Sequence, residues 1–240
     1  MRIGILKAGT VHPDVGLRYG DYPDMFHELL VDPAARPAGA PAPEFLDVDV
    51  ARERLPDPTA CDAYLVTGSR HSVYDDLPWI APLAEFAARA LQQRRRVVGI
   101  CFGHQLIAHH FGGETRAAPA GWCVGVHRAR VVDAAPWMDP PAADFALLVS
   151  HRDQVVRLPT GARTFAVADA CPVAGFVLGD ALAFQGHPEF VSGYAGALMD
   201  ARRRALGEDV YRAGKASLRE HTDGPLVARW IWRFMSQGAG

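Results

Sequence analysis

The sequence predicts an α/β fold of three layers, with a largely parallel central sheet flanked by helices. Three observations carry that expectation. Short apolar, β-branched runs bounded by Gly, Pro and Asp alternate with longer segments of helical periodicity, the pattern of strands joined by crossover helices. Of the 240 residues, 49% are hydrophobic and 22% charged, and mean hydropathy is near zero, so the chain can bury a full core and is neither disordered nor fibrous. The alternation runs without a repeat of about 20 to 50 residues, and residues 1–240 are expected to form a single domain.

The elements follow in order. Arg2 to Leu6 is the opening strand and Tyr22 to Leu30 the first helix. Asp32 to Pro43, rich in Pro and Ala, reads as an exposed connection. Phe45 to Val48 and Ala63 to Thr67 are strands, Trp79 to Arg95 is a helix, Val97 to Ile100 a strand and Phe102 to Phe111 a helix. A run of strands comes next, at Val126 to Val132, Phe145 to Val149, Thr164 to Ala168, Gly175 to Leu178 and Ala181 to Gln185, with a Pro-rich loop at Asp133 to Asp144. Helices at Val191 to Ala205 and Leu226 to Met235 make the last third mainly helical.

Charge excludes several partners. With 25 Lys and Arg against 27 Asp and Glu, there is no positive excess to release counterions from nucleic acid or to hold an anionic membrane, and neither partner is expected. Only Lys7 and Lys215 are lysine and no asparagine occurs, a compositional bias that makes Arg94 to Arg96 and Arg202 to Arg204 read as solvated helix ends, where cations suit the dipole. No apolar run approaches the roughly 18 residues of a membrane span, and Met1 to Leu6 is too short for a signal-peptide core, so a cytoplasmic location is expected. Cys61, Cys101, Cys123 and Cys171 form no C-x-x-C pair, which suggests neither a disulfide framework nor a zinc site. No metal or cofactor is expected.

One cysteine stands apart. In Val97-Val98-Gly99-Ile100-Cys101-Phe102-Gly103-His104-Gln105, a β-branched run meets Gly-x-Cys-x-Gly and then a helical stretch. Cys101 therefore sits where a strand turns abruptly into a helix, the geometry of a nucleophile elbow whose glycines let the chain turn tightly. The helix N-terminus favours a thiolate there, and the unpaired N–H of Phe102 could face a developing oxyanion. For Cys61, Cys123 and Cys171 the ordinary reading is a buried, inert thiol. A second motif supplies a base. Phe184-Gln185-Gly186-His187-Pro188-Glu189 ends an apolar strand, and in an extended segment His187 and Glu189 project to the same side. A thiol nucleophile needs a base within reach and a third group to fix the base's tautomer, roles that Cys101, His187 and Glu189 suit.

Together these motifs resemble the class I glutamine amidotransferases, whose fold is flavodoxin-like and whose glutaminase domain uses a Cys-His-Glu triad. Leu65-Val66-Thr67-Gly68-Ser69 is similar to the turn that contributes an oxyanion-hole N–H, which implies that role for Gly68 beside Phe102. Gln105 matches the family's glutamine-contacting Gln. Gly121 to Val126 resembles the stretch leading to the glycine beside bound glutamine, here Gly125, and Ser150-His151-Arg152-Asp153-Gln154-Val155 resembles a segment that holds the substrate's α-amino and α-carboxyl groups. The stretches Ile3 to Thr10, Gly20 to Phe26 and Gly68 to Asp76 look like the free-standing GMP-synthase-like subgroup, which also resembles γ-glutamyl peptidases. Arg70, where the family often has Pro, and Arg152, where relatives commonly have Gly, depart from the pattern.

The resemblance implies hydrolysis of the γ-amide of glutamine through a γ-glutamyl thioester, with ammonia passed to a separate synthetase subunit. The helical remainder after Phe190 is too short for an ATP-using synthetase. The alternative is a stand-alone γ-glutamyl peptidase or hydrolase acting on γ-glutamyl amines or peptides. A non-catalytic module is a third reading, disfavoured by the complete Cys101, His187 and Glu189 set. The substrate partner is accordingly glutamine or a γ-glutamyl small molecule.

Overall fold

All nine expected strands pair into one sheet in a computed structural model of the chain, which describes residues 1–36 and 39–237. They are β1 (Arg2–Lys7), β2 (Glu44–Asp49), β3 (Ala63–Val66), β4 (Arg96–Ile100), β6 (Cys123–Val131), β7 (Asp144–His151), β9 (Arg163–Ala168), β10 (Cys171–Leu178) and β11 (Ala181–Phe184), in the order β2-β1-β3-β4-β11-β10-β9-β6-β7. A separate pair, β5 (Glu114–Ala117) with β8 (Asp153–Arg157), is antiparallel. Among the described residues there are seven helices: α1 (Pro13–Tyr19), α2 (Tyr22–Val31), α3 (Ile80–Gln92), α4 (Phe102–His110), α5 (Ser192–Leu206), α6 (Glu208–Ser217) and α7 (Gly224–Ser236). Of the expected Asp32 to Pro43 connection, Pro37 and Ala38 lie outside the described residues.

The parallel character expected of the sheet belongs to β2-β1-β3-β4-β11, while the pairings from β11 to β7 are antiparallel. For β9, β10 and β11 the reason is connection length. Gly179-Asp180 between β10 and β11 and Asp169-Ala170 between β9 and β10 are two-residue links, which only a hairpin can use, whereas parallel strands need a crossover.

Strand alternation separates the layers. Ile3, Ile5, Ala63, Leu65, Val98, Ile100, Leu182 and Phe184 face one side and pack with Phe26 and Leu30 of α2 and with Val227, Trp230, Ile231 and Phe234 of α7. Leu6, Tyr64, Val66, Val97, Ala181 and Ala183 face the other, against Leu83, Phe86 and Ala87 of α3 and Leu106 and Ile107 of α4. Over the antiparallel half, Tyr194, Leu198 and Met199 of α5 cover Val124, Val126, Ala146 and Leu148. Among the described residues no helix is long and apolar enough to cross a membrane.

Candidate active site

Strands β3, β4 and β11 lie side by side and parallel, and the residues that follow their carboxyl ends converge, where open α/β sheets bind ligands. Cys101 occupies the turn from β4 into α4. Its backbone has φ 52° and ψ −96°, a conformation that costs a non-glycine residue roughly 1–3 kcal/mol and persists only where the surroundings hold it. They do: its N–H donates to the Phe184 carbonyl at 2.8 Å, and its carbonyl accepts from the Gln105 N–H at 3.0 Å. The strain falls on the cysteine itself, since neither Gly99 nor Gly103 has a positive φ. What each glycine supplies is a missing Cβ. One built on Gly99 would lie 2.5 Å from the Gly103 carbonyl carbon, and one on Gly103 would lie 2.5 Å from the Val66 carbonyl oxygen. Phe102 opens α4, so its N–H has no acceptor within the helix, and its ring is packed by Trp79 at 5.4 Å.

His187 lies just past β11, where its N–H donates to the Leu148 carbonyl of β7 at 2.8 Å. The residues Pro188-Glu189 then turn rather than continue as strand, and the turn brings Glu189 Oε1 to 2.7 Å from His187 Nδ1. Both side chains are buried. Phe190 stacks on the imidazole and Tyr194 stands edge-on to Phe190 at 4.5 Å. Burial works against a charged His187, but the Glu189 carboxylate, and after it Cys101, overcome that cost and push the imidazole up to about 10. Gly68 closes the group: a Cβ there would lie 2.8 Å from His187 Cε1 and 3.8 Å from Cys101 Cβ.

Cys101 reaches a cavity of about 250 Å³ whose lining includes Gln105, Ser150, His151, Arg152 and Asp153. Gln105 is largely committed to the wall, its Nε2 donating to the Asp153 carbonyl at 2.8 Å and to Gln185 Oε1 at 3.1 Å. Asp153 Oδ2 accepts from Ser72 Oγ at 2.5 Å, and His151 Nδ1 meets the Asp153 carbonyl at 2.9 Å. Burial pulls His151 down to about 4, and pulls His104, beneath it, to about 3. Gly125 is not in the cavity lining. It has φ 97° and packs against α6, where a Cβ would meet Ser217 Oγ at 2.3 Å and the Gly214 backbone at 3.0 Å, so its glycine serves helix packing. Burial raises Cys61, lifts Cys123 to about 11 and lifts Cys171 to about 12, which keeps these three as thiols.

Sequence reasoning overlooked Ser69, His71, Tyr74, Trp122 and Arg202 in the cavity wall. Arg202 departs from the solvated helix end expected of Arg202 to Arg204. Its Nη1 donates to Ser150 Oγ at 3.0 Å and its guanidinium lies over Trp122. A signal existed: Tyr194, Leu198, Arg202 and Leu206 recur every four residues and form one stripe of α5. Among the described residues no group of three His, Cys, Asp or Glu side chains is arranged to hold a metal ion.

The fold is thus an α/β sandwich with a cysteine, a buried histidine–glutamate pair and a close-packed glycine at the carboxyl edge of its parallel strands. Residues 44–202 match the family described as glutamine amidotransferase class-I. The chain belongs to that family and is an enzyme of it. It is 30% identical over 178 residues, covering 72% of this chain and 69% of the relative, to γ-glutamyl peptidase 4 of Arabidopsis thaliana. It is 35% identical over 125 residues to the glutamine-hydrolysing GMP synthase of Aeropyrum pernix, covering 52% of this chain and 22% of that protein. A glutamine amidotransferase structure from Thermotoga maritima superposes with a TM-score of 0.76 over 99% of each chain at 18% identity, a likeness of fold.

Proposed function

We propose that the enzyme hydrolyses the γ-amide bond of a glutamyl side chain through a thioester on Cys101. The observation that carries this reading is the 2.7 Å contact between buried His187 and Glu189, with Gly68 packed against both His187 and Cys101. Glu189 favours the protonated imidazole of His187, and the nucleophile is the thiolate form of Cys101. The thiolate attacks the γ-carbonyl carbon, and the N–H groups of Gly68 and Phe102 receive the oxyanion. As the C–N bond breaks, His187 gives its proton to the departing amine. His187 then takes a proton from water, the hydroxide cleaves the thioester, and glutamate and the imidazolium–thiolate pair are restored. Glu189 orients His187 throughout, and the Gln105, Ser150 to Asp153 wall receives the glutamyl head group.

The relative named as a γ-glutamyl peptidase aligns with more of this chain than the GMP synthase does. That favours hydrolysis of γ-glutamyl amines or peptides over a dedicated ammonia supply. Glutamine hydrolysis for a separate synthetase is the second reading, supported by the GMP synthase match. A reducing, cytoplasmic setting suits a nucleophilic thiol among four free cysteines. Incubation with glutamine and with a panel of γ-glutamyl amines and peptides, following glutamate and ammonia, separates the two. Turnover of peptides well above glutamine is the expected result, and turnover surviving in Cys101→Ala would remove the thioester from the reaction.

A further inference from the structure

The cavity beside Cys101 is lined by three guanidinium groups, Arg70, Arg152 and Arg202, and by one carboxylate, Asp153, already engaged by Ser72. Arg70 and Arg152 are exposed. Arg202 is fixed: it projects from the inward stripe of α5, donates to Ser150 Oγ and lies over Trp122, 5.5 Å from the ring centre. The next residue along the helix shows what this arginine lacks. Arg203 is neutralised by both oxygens of Glu208 at 2.9 Å, whereas among the described residues no carboxylate lies within ion-pair distance of Arg202. A guanidinium has five N–H donors in a planar fork, and one hydroxyl occupies few of them. A partly buried cation with donors to spare, on the wall of a cavity that also presents a thiol, is matched by a ligand carboxylate.

Resting on the γ-glutamyl reading above, we propose that Arg202 binds a carboxylate of the substrate and so determines which γ-glutamyl compounds the enzyme accepts. The carboxylate has two sources, the α-carboxylate of the glutamyl half or the terminal carboxylate of an amino-acid leaving group. Neither Ser150 nor Trp122 carries charge, so the ion pair would be made only when substrate is present. Arg202 is then a specificity residue, and its loss is felt in binding more than in bond cleavage.

The test is steady-state kinetics of the full chain with L-glutamine, γ-glutamylglycine and γ-glutamylglycinamide, comparing the wild type with Arg202→Gln, Arg202→Lys and Arg203→Gln. Arg202→Gln should raise KM by about 10- to 100-fold, the range of one charge-assisted contact, with kcat little changed. Arg202→Lys should recover part of the loss, and Arg203→Gln should match the wild type. A rise for all three substrates assigns the α-carboxylate; a rise for γ-glutamylglycine alone assigns the leaving group. An unchanged KM for every substrate, or a fall in kcat alone, in a variant of wild-type melting temperature overturns the proposal. Calorimetric titration of γ-glutamylglycine into Cys101→Ala, with and without Arg202→Gln, reads the same contact without turnover. A wild type inactive on all three substrates would sink the γ-glutamyl reading, while weaker binding on loss of Arg202 would still uphold the carboxylate site.

Discussion

The Phe190 ring lies flat on the His187 imidazole, with centroids 3.8 Å apart and planes 6° from parallel. The stack fixes the plane of the ring, the Glu189 contact fixes its rotation within that plane, and the bond from His187 N–H to Leu148 fixes its backbone. Orientation of a catalytic group by about 1 Å is worth up to roughly a hundredfold in rate. Phe190→Leu keeps an apolar filler but removes the flat face. Its kcat should fall by about 10- to 100-fold with KM nearly unchanged. Kinetics on the best γ-glutamyl substrate check this, and an unaltered kcat would mean that Glu189 alone suffices.

Gly68→Ala should be far more costly than an added methyl group suggests. The new Cβ would press on His187 Cε1, and that ring cannot retreat because Phe190 and Glu189 hold it. The strain falls on the turn proposed to carry an oxyanion donor, and loss of one such donor lowers kcat by about 10²- to 10³-fold. The variant should retain the wild-type circular dichroism spectrum. Near-normal kcat would place the oxyanion elsewhere.

The raised pKa of His187 gives the pH profile a predictable alkaline limb. Its imidazolium persists from the ordinary value of 6.5 up to about 10, so the proton needed by the leaving amine is present at neutral pH and is lost as pH rises through about 10. Glu189→Gln removes the principal cause of the rise and leaves burial, which acts downward, opposed by Cys101 alone. The limb should move to lower pH and kcat should drop. A plot of kcat/KM against pH for both proteins checks the direction, and a limb that stays in place would mean that Glu189 does not set the titration.

His104 and His151 make the fold sensitive to acid. Burial, the leading cause in both, holds them neutral, at about 3 and about 4 against 6.5. Because the unfolded chain binds these protons more readily, the stability they protect is complete above about 6.5 and is lost as pH falls through about 4. His104→Leu should flatten that dependence, and removing a buried polar ring can leave stability at neutral pH nearly intact. Urea midpoints measured at steps across this range would show the flattening or rule it out.

What the sequence made legible, and what it hid, follows from what periodicity can report. The turn at Cys101 and the His187-Pro188-Glu189 run stood out because glycines and apolar strands frame them. Helix α6 gave little signal because Gly214 is its only fully buried residue and its apolar side chains, Val210 and Tyr211, are few and only partly buried. Helix α1 is seven residues with Pro13 at its start and Gly16 inside, a composition that reads as loop. Strand β8 begins two residues after β7 ends, separated by Arg152 alone, and a change of sheet within one extended run leaves no mark on alternation. The antiparallel half was visible in Gly179-Asp180, a hairpin dipeptide that a general expectation of parallel strands obscured. Arg202 was hidden by its neighbours, since three consecutive arginines look like one surface patch until helical geometry sorts them onto different faces.

The contacts of Gly99 and Gly103 have a consequence for how this active site can vary. Gly103 rests on the Val66 carbonyl of β3, and Gly68 follows two residues later on that same strand's exit. The span between Cys101 and Gly68, the proposed nucleophile and the proposed oxyanion donor, is therefore a main-chain dimension, gauged by peptide groups in contact and not by the side chains that fill the layers on either side. Core substitutions on α3 or α7 can soften or stiffen the protein while that gauge keeps its length. The reach of the chemistry is set once, by the backbone, and the freedom to diversify lies with the arginines and loops around the mouth.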